Sequence, residues 1–193
     1  CGGQVTRLPG EVDLRCGNVD CPAQLKRRIE HFASRGAMDI RGLGTALVDQ
    51  LVDRGIVESF GDLYTLSQEE LESLDRMGET SAAKLLAEIE ESKERPFDRL
   101  LFGLGIRHVG RRAAQTLARR FGSIDALSGA SEEELAETPE IGPVIAASVR
   151  SFFDSAANRG VIGQLTDAGV NLSGTVRGKG ASPLEGMTVV LTG

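Results

Sequence analysis

A short glycine turn recurs four times in this chain at a nearly fixed interval, and no other feature limits the fold so tightly. The copies are Ile40-Arg41-Gly42-Leu43-Gly44, Asp75-Arg76-Met77-Gly78, Arg107-His108-Val109-Gly110 and Glu140-Ile141-Gly142-Pro143. Their shared glycines, Gly44, Gly78, Gly110 and Gly142, lie 34, 32 and 32 residues apart. A period that steady marks one supersecondary unit used four times. Four and seven positions after each glycine stand Val48 and Leu51, Ala82 and Leu85, Ala114 and Leu117, and Ala146 and Val149, one apolar face of a helix. Four positions before it stand Ile40, Leu74, Ile106 and Thr138, which close a short preceding helix in the first three copies. The predicted unit is therefore helix, tight glycine turn, helix.

The rest of the chain agrees with a mainly α fold. Its 193 residues are 40% hydrophobic but only 4% aromatic, with no Trp, so the core must be built from Leu, Ile, Val and Ala, which suits close-packed helices. Ser67 with Glu70 and Ser131 with Glu134 each fit a capping box that starts a short helix. Glu94-Arg95-Pro96 interrupts a helix that runs from about Thr80. The four units then divide into two pairs, which are expected to pack face to face as a compact helical domain over residues 23–172. Pro22 suits the first turn of a helix over 23–34 that carries Leu25, Ile29 and Phe32 on one side and ends at Gly36. One further helix is expected over 155–168, weakened by Gly160 and Gly163 and stopped by Gly169.

Both ends read as cut through larger elements. Residues 173–183 are glycine-rich and short of apolar residues, the composition of a flexible linker. Residues 184–193 end in Met187-Thr188-Val189-Val190-Leu191-Thr192-Gly193, which reads as a buried parallel strand without a partner, the truncated start of another domain. The first residue is Cys1 rather than Met, so the expectation is a fragment of a longer polypeptide. No apolar run approaches the roughly 20 residues that span a bilayer, and no signal peptide is apparent; the expectation is a soluble, cytoplasmic protein with no membrane partner.

Residues 1–22 hold all three cysteines, Cys1, Cys16 and Cys21, in a glycine-rich stretch without periodicity. Thiolates on a loop, a returning strand and a helix start can converge on one structural zinc ion, which small irregular modules use in place of a core. Three ligands are one short of a closed tetrahedral site, and a preceding Cys-x-x-Cys would supply the fourth from upstream. Three ordinary free thiols are the alternative, and His31, ten residues into the following helix, is a weaker candidate for the fourth ligand.

Charge separates the regions. The net charge of −6 argues against strong non-specific nucleic-acid affinity of the whole chain, but the sum hides an asymmetry. Nine acidic and three basic residues lie from Gln68 to Glu94, whereas Arg99 to Ile124 holds six arginines and no acid. A helix N-terminus leaves backbone N–H groups unpaired at a partial positive charge, and a glycine before it lets a phosphate oxygen approach. Such contacts hold a duplex without reading its bases. The turns thus point to sequence-independent DNA binding, with Gly42, Gly44, Gly78, Gly110 and Gly142 as turn glycines. Leu43 is expected to point inward and lock its turn. Arg41, Arg107, His108, Arg111 and Arg112 are the cationic candidates. Glycine turns between helices are common singly; the fixed period and shared register are what raise these above the ordinary case. Asp75 and Glu79 beside the second turn, and Glu140 within the fourth, place carboxylates where phosphate would sit, so the first and third turns are expected to make the main contacts. Lys26, Arg27 and Arg28 read either as a solvated face or as an added contact to nucleic acid.

The order of parts, RCGNVDCPAQ, IRGLG, FGLGIRHVG and PLEGMTVVLTG, closely resembles the carboxy-terminal half of bacterial NAD-dependent DNA ligases over essentially the whole chain. The resemblance implies that Cys1, Cys16 and Cys21 are the second, third and fourth ligands of a structural zinc, that four helix-hairpin-helix units grip nicked duplex DNA in the minor groove, and that residues 184–193 open a BRCT domain. It implies a parent enzyme that uses NAD and Mg to seal nicks in replication and repair. The adenylated lysine and NAD pocket of the family belong to amino-terminal domains, and no part of this sequence matches them, so the chain alone is expected to be non-catalytic. Contacts with those domains and with the rest of the BRCT domain, and a nucleoid-associated bacterial location, follow from the same likeness. Three other readings stand beside it: another repair protein with paired helical hairpins, for which the final strand would be unexpected; a base-excision glycosylase, which would need a Gly/Pro-rich loop and distal Asp that are not found; and a protein-interaction scaffold, which the acidic surface favours.

Overall fold

The computed structural model describes residues 1–2, 5–7, 14–16 and 21–174, and within these the fold is mainly helical. A two-stranded antiparallel ribbon comes first, β1 (Val5–Arg7) and β2 (Leu14–Cys16), in the register Val5 to Cys16. Ten α-helices follow among the described residues: α1 (Pro22–Ala33), α2 (Thr45–Asp53), α3 (Gln68–Glu72), α4 (Glu79–Ser92), α5 (Phe97–Gly103), α6 (Arg111–Phe121), α7 (Ile124–Gly129), α8 (Glu132–Ala136), α9 (Pro143–Asp154) and α10 (Ala156–Asp167). The repeat read in the sequence becomes four helical hairpins, α1 with α2, α3 with α4, α5 with α6 and α8 with α9.

The hairpins form because their apolar register closes on one core. Val48, Leu51, Ala82, Leu85, Ala114, Leu117, Ala146 and Val149, the positions four and seven after the glycines, are all buried in it. Thr138, the exception among the closing residues, is also buried, and its hydroxyl donates back to the Glu134 carbonyl at 3.2 Å. Both capping boxes form: the Ser67 and Ser131 hydroxyls accept from the Glu70 and Glu134 amides, and each glutamate carboxylate accepts in return from the cap N–H. These satisfy N–H groups that helices of only five residues would otherwise leave open. Ile29 and Phe32 of α1 are fully buried, and the Phe32 ring stacks on Phe60 at 4.8 Å.

Two short elements carry no clear signal in the sequence. A 3-10 turn at Gly61–Thr65 packs against α10, where Gln164 lies so close to Gly61 that a β-carbon there would meet its side chain at 2.4 Å. The other is α7, capped by Ser123 with a hydroxyl that accepts from the Ala126 amide. Beyond α10 the chain returns to this cap: the Ile124 amide donates to the Leu172 carbonyl and the Gly174 amide to the Gly122 carbonyl. Ser173 and Gly174, the first residues of the expected linker, are thus bonded to the helical body. The remainder of that linker and the expected strand at 184–193 lie outside the described residues.

The two hairpin pairs are joined by arginines rather than by apolar contact alone. Arg99 of α5 donates to the carbonyls of Ala37 at 2.7 Å and Arg35 at 2.6 Å, and Arg95 donates to that of Met38 at 3.2 Å. Asp39 sits between both guanidiniums, 3.8 and 3.9 Å away. The loop between α1 and the first turn is therefore held by the second pair, and Arg99 serves the fold instead of a solvent-facing surface.

Candidate nucleic-acid interface

Each turn is built in the same way, whatever its side chains. The residue two before the shared glycine takes the left-handed conformation in all four copies: Gly42 at φ 92°, Arg76 at 62°, His108 at 63° and Glu140 at 68°. The three L-residues pay about 1 kcal/mol each for this. The residue between, Leu43, Met77, Val109 or Ile141, packs inward and fixes the turn to its two helices. Gly44, Gly78, Gly110 and Gly142 then cap α2, α4, α6 and α9, and having no side chain they accept no hydrogen bond from the N–H groups of the first turn.

Those four caps pose a question that the fold alone does not answer. Their φ values, −89°, −98°, −79° and −84°, are ordinary extended backbone open to any residue. A β-carbon placed on any of them would meet nothing within 4 Å. Ser, Thr, Asp or Asn would serve as well or better at a helix N-cap. Neither strain nor packing within the chain requires glycine there, so the geometry fits an object approaching from outside, against the N–H groups of the first helical turn. An anion is what those groups attract.

The turns differ in what surrounds the opening. At the first, exposed Arg41 is drawn aside to Glu88 of α4 (2.7 Å from Nε) with Glu91 at 3.7 Å; these partners hold its guanidinium above its ordinary pKa, Glu88 foremost. At the second, Asp75 is met by Arg54 at 3.0 Å, and its backbone N–H donates to Gln50 at 2.7 Å. At the third, Arg107 and His108 are exposed, and Arg111 lies over the Phe102 ring at 5.8 Å. Gly36 permits that placement, since a β-carbon there would meet Arg111 Nη2 at 2.4 Å. At the fourth, α9 begins with Pro143, which has no N–H, so this opening offers one donor fewer. Val144 beside it is 63% exposed.

Arg112 and Glu140 join the third and fourth hairpins. The Arg112 Nε donates to a Glu140 carboxylate oxygen at 3.1 Å, its Nη2 donates to the other, and Thr116 adds its hydroxyl at 3.3 Å. Arg112 holds the Glu140 carboxyl below the usual carboxylate range. The sequence shows Glu140 as a carboxylate at the mouth of its own turn; the structure shows it engaged with the neighbouring helix. The two partners lie 28 residues apart, and no local pattern in the sequence marks them as a pair.

Farther along α6, Gln115, Arg119 and Arg120 continue the polar face that Arg111 and Arg112 begin. In α1, Lys26 is tied to Asp49 and Asp53 at 3.0 and 2.8 Å and Arg27 to Glu30 at 3.0 Å. His31 Nε2 donates to the Phe102 carbonyl, 2.8 Å away, which places it in packing against α5.

Of the three cysteines, Cys1 is exposed, Cys16 ends β2, and Cys21 is buried at the cap of α1. Soft thiolates in this number suit zinc. Among the described residues no group of three His, Cys, Asp or Glu is arranged around a metal position. No helix among them is long and apolar enough to cross a membrane.

Comparison with known proteins assigns this arrangement. Residues 1–23 match the NAD-dependent DNA ligase C4 zinc finger domain, residues 35–91 a SAM-like helix-hairpin-helix tandem, and residues 99–162 a helix-hairpin-helix motif. The chain is 51% identical over its full 193 residues to a DNA ligase of Acidobacterium capsulatum and 50% identical to one of Koribacter versatilis, covering 28% of each. A DNA ligase of Pelotomaculum thermopropionicum is 52% identical over 194 residues, all of this chain and 29% of that protein. The chain thus spans less than a third of the length of these relatives. From its zinc-finger match, its two helix-hairpin-helix matches and this full-length similarity, the chain belongs to the NAD-dependent DNA ligase family.

Proposed function

We propose that this chain is the DNA-gripping region of a nick-sealing, NAD-dependent ligase. The observation that carries the reading is the set of four helix caps at which glycine answers to no strain and no contact within the chain, each opening onto unpaired N–H groups. Contacts of this kind bind phosphates on both strands of a minor groove without reading sequence. The first and third turns make the main contacts. Support for that order comes from Pro143 at the fourth, which removes a donor, and from Glu79 at the first helical position of the second. Arg107, His108, Arg111 and Arg112 add charge at the third. The chain supplies positioning rather than chemistry: NAD, Mg and the adenylated group belong to other domains of the parent enzyme, and orientation of nick ends against them is worth several kcal/mol of barrier.

Zinc would be held by Cys1, Cys16 and Cys21 with one further ligand, and would supply folding energy to residues 1–21 rather than take part in the reaction. In the cell the parent protein would act on nicked chromosomal DNA in replication and repair, in the cytoplasm at the nucleoid.

The test is an anisotropy titration of the chain with nicked, intact and single-stranded DNA across a salt series. Replacing Arg111 and Arg112 together with Glu is expected to weaken duplex binding, and flatten its salt dependence, far more than Lys84→Glu on the exposed side of α4. Equal losses at both places would sink the assignment of the third turn. A complete lack of duplex binding at low salt would favour the scaffold reading.

A further inference from the structure

The fourth turn departs from the other three at one side chain. At the left-handed position Gly42, Arg76 and His108 bring no negative charge, whereas Glu140 brings a carboxylate and holds it at φ 68°. That carboxylate does not fold back on its own helix. It reaches α6 of the third hairpin and takes Arg112 through both Nε and Nη2, with the Thr116 hydroxyl as a third donor. A guanidinium fork met by two oxygens is also how arginine holds a phosphate. Arg112 is the second residue of α6, within its first turn and two residues past the Gly110 cap, so the anion it holds lies beside the opening where DNA phosphate is read to bind.

Resting on that reading of the turns, we infer that Glu140 is a built-in competitor for DNA phosphate, which occupies Arg112 in the free chain and so limits duplex affinity. The pair is poised for exchange. The Arg112 side chain is 84% exposed and that of Glu140 44%, and ion pairs so exposed contribute little to stability. The hairpins do not depend on it for cohesion, since Leu117, Ala146, Val149 and Ile141 are buried in the common core. A phosphate arriving at the Gly110 cap would meet the helix N-terminus as well as Arg112, a combined attraction that a single carboxylate does not match. The strained glutamate thus sets how tightly the third turn holds, which matters to a protein that must leave its product.

The test separates a competitor from a simple staple. Glu140→Gln keeps shape and removes charge; it is expected to tighten duplex binding about three- to tenfold at low salt, with the gain shrinking as salt rises. Glu140→Gly should tighten binding to the same degree while raising the thermal midpoint, because glycine is at ease at this φ. Arg112→Ala should lose more affinity in the Glu140→Gln background than in the wild-type chain, the coupling that a double-mutant cycle reads. A staple predicts the opposite: both Glu140 variants would melt earlier and bind no tighter, and that result overturns the inference while leaving the turns as phosphate sites. A wild-type chain that binds no duplex at any salt overturns the proposed function and this inference together.

Discussion

The first hairpin pair and the second are the same backbone device with opposite electrostatic outcomes. In the pair formed by α1 to α4, cations and anions cancel across the partners: Arg41 of the first turn is taken by Glu88, and Asp75 of the second by Arg54. In the pair formed by α5 to α9, Arg107, Arg111, Arg112, Arg119 and Arg120 face solvent, and Glu140 is the acid set against them. The turns themselves are superposable in kind, with one left-handed residue, one inward apolar residue and one glycine cap in each. Backbone donors are thus common to all four, with one fewer at Pro143, while the charged side chains of the first, second and fourth turns are each met by a partner on the neighbouring hairpin. A turn's own residues are a poor guide to its potential.

The sharpest break of this comparison is steric. Gly110→Val should lower duplex affinity by roughly ten- to a hundredfold, the loss of one or two charge-assisted hydrogen bonds, with only a modest fall in thermal midpoint from the poorer helix cap, because its β-carbon meets nothing in the chain. Gly44→Val should lower it less, and a larger loss at Gly44, measured by the same titration, would reverse the ranking of the two pairs. Next in size is the salt slope. Arg111→Ala should reduce it by about 0.9, whereas Arg41→Ala should reduce it by less, since Glu88 already offsets that charge.

A smaller effect tests whether the two backbones are alike. Arg76→Gly and His108→Gly each remove left-handed strain and add unfolded-state entropy, for a net gain of up to about 1 kcal/mol by denaturant unfolding. Similar gains in both pairs would support one shared geometry, and a gain confined to one pair would contradict it. The smallest effect is confined to the first pair's side of the molecule. Tyr64, the chain's one tyrosine, donates to Ser92 of α4 at 3.0 Å, and burial pushes its hydroxyl from 10.0 up to about 12. Its folded pKa exceeds its unfolded one, so the stabilisation is complete below pH 10 and is lost as pH rises towards about 12. Phenolate absorbance should show a midpoint near 12 in the folded chain and near 10 on unfolding. A folded-state midpoint at 10 would show the ring to be solvated.

How much was legible follows the range of each interaction. The hairpins, their register and the capping boxes depend on residues within about two helical turns of one another, and the sequence carries them in full. Tandem glycine turns at a steady period, with the ligase-like cysteine stretch, were enough to reach the family. The zinc ligands and the strand expected at 184–193 rest on the sequence, since the structure around them lies largely outside the described residues. The Gly61–Thr65 turn and α7 are too short for periodicity to reveal, and they form because α10 and residues 172–174 pack back on them.

By itself the sequence determined where the backbone turns and which faces of the helices are buried, because periodicity and glycine placement act locally. Only the tertiary structure decided which charges remain available. Arg99, one of the six arginines of the basic segment, is spent on carbonyls of the first hairpin; Glu140, a carboxylate at the mouth of one turn, is held by Arg112 at the next. Partners 62 and 28 residues away settle these roles. Coulombic pairing depends on distance in space, and that distance exists only once the hairpins have packed.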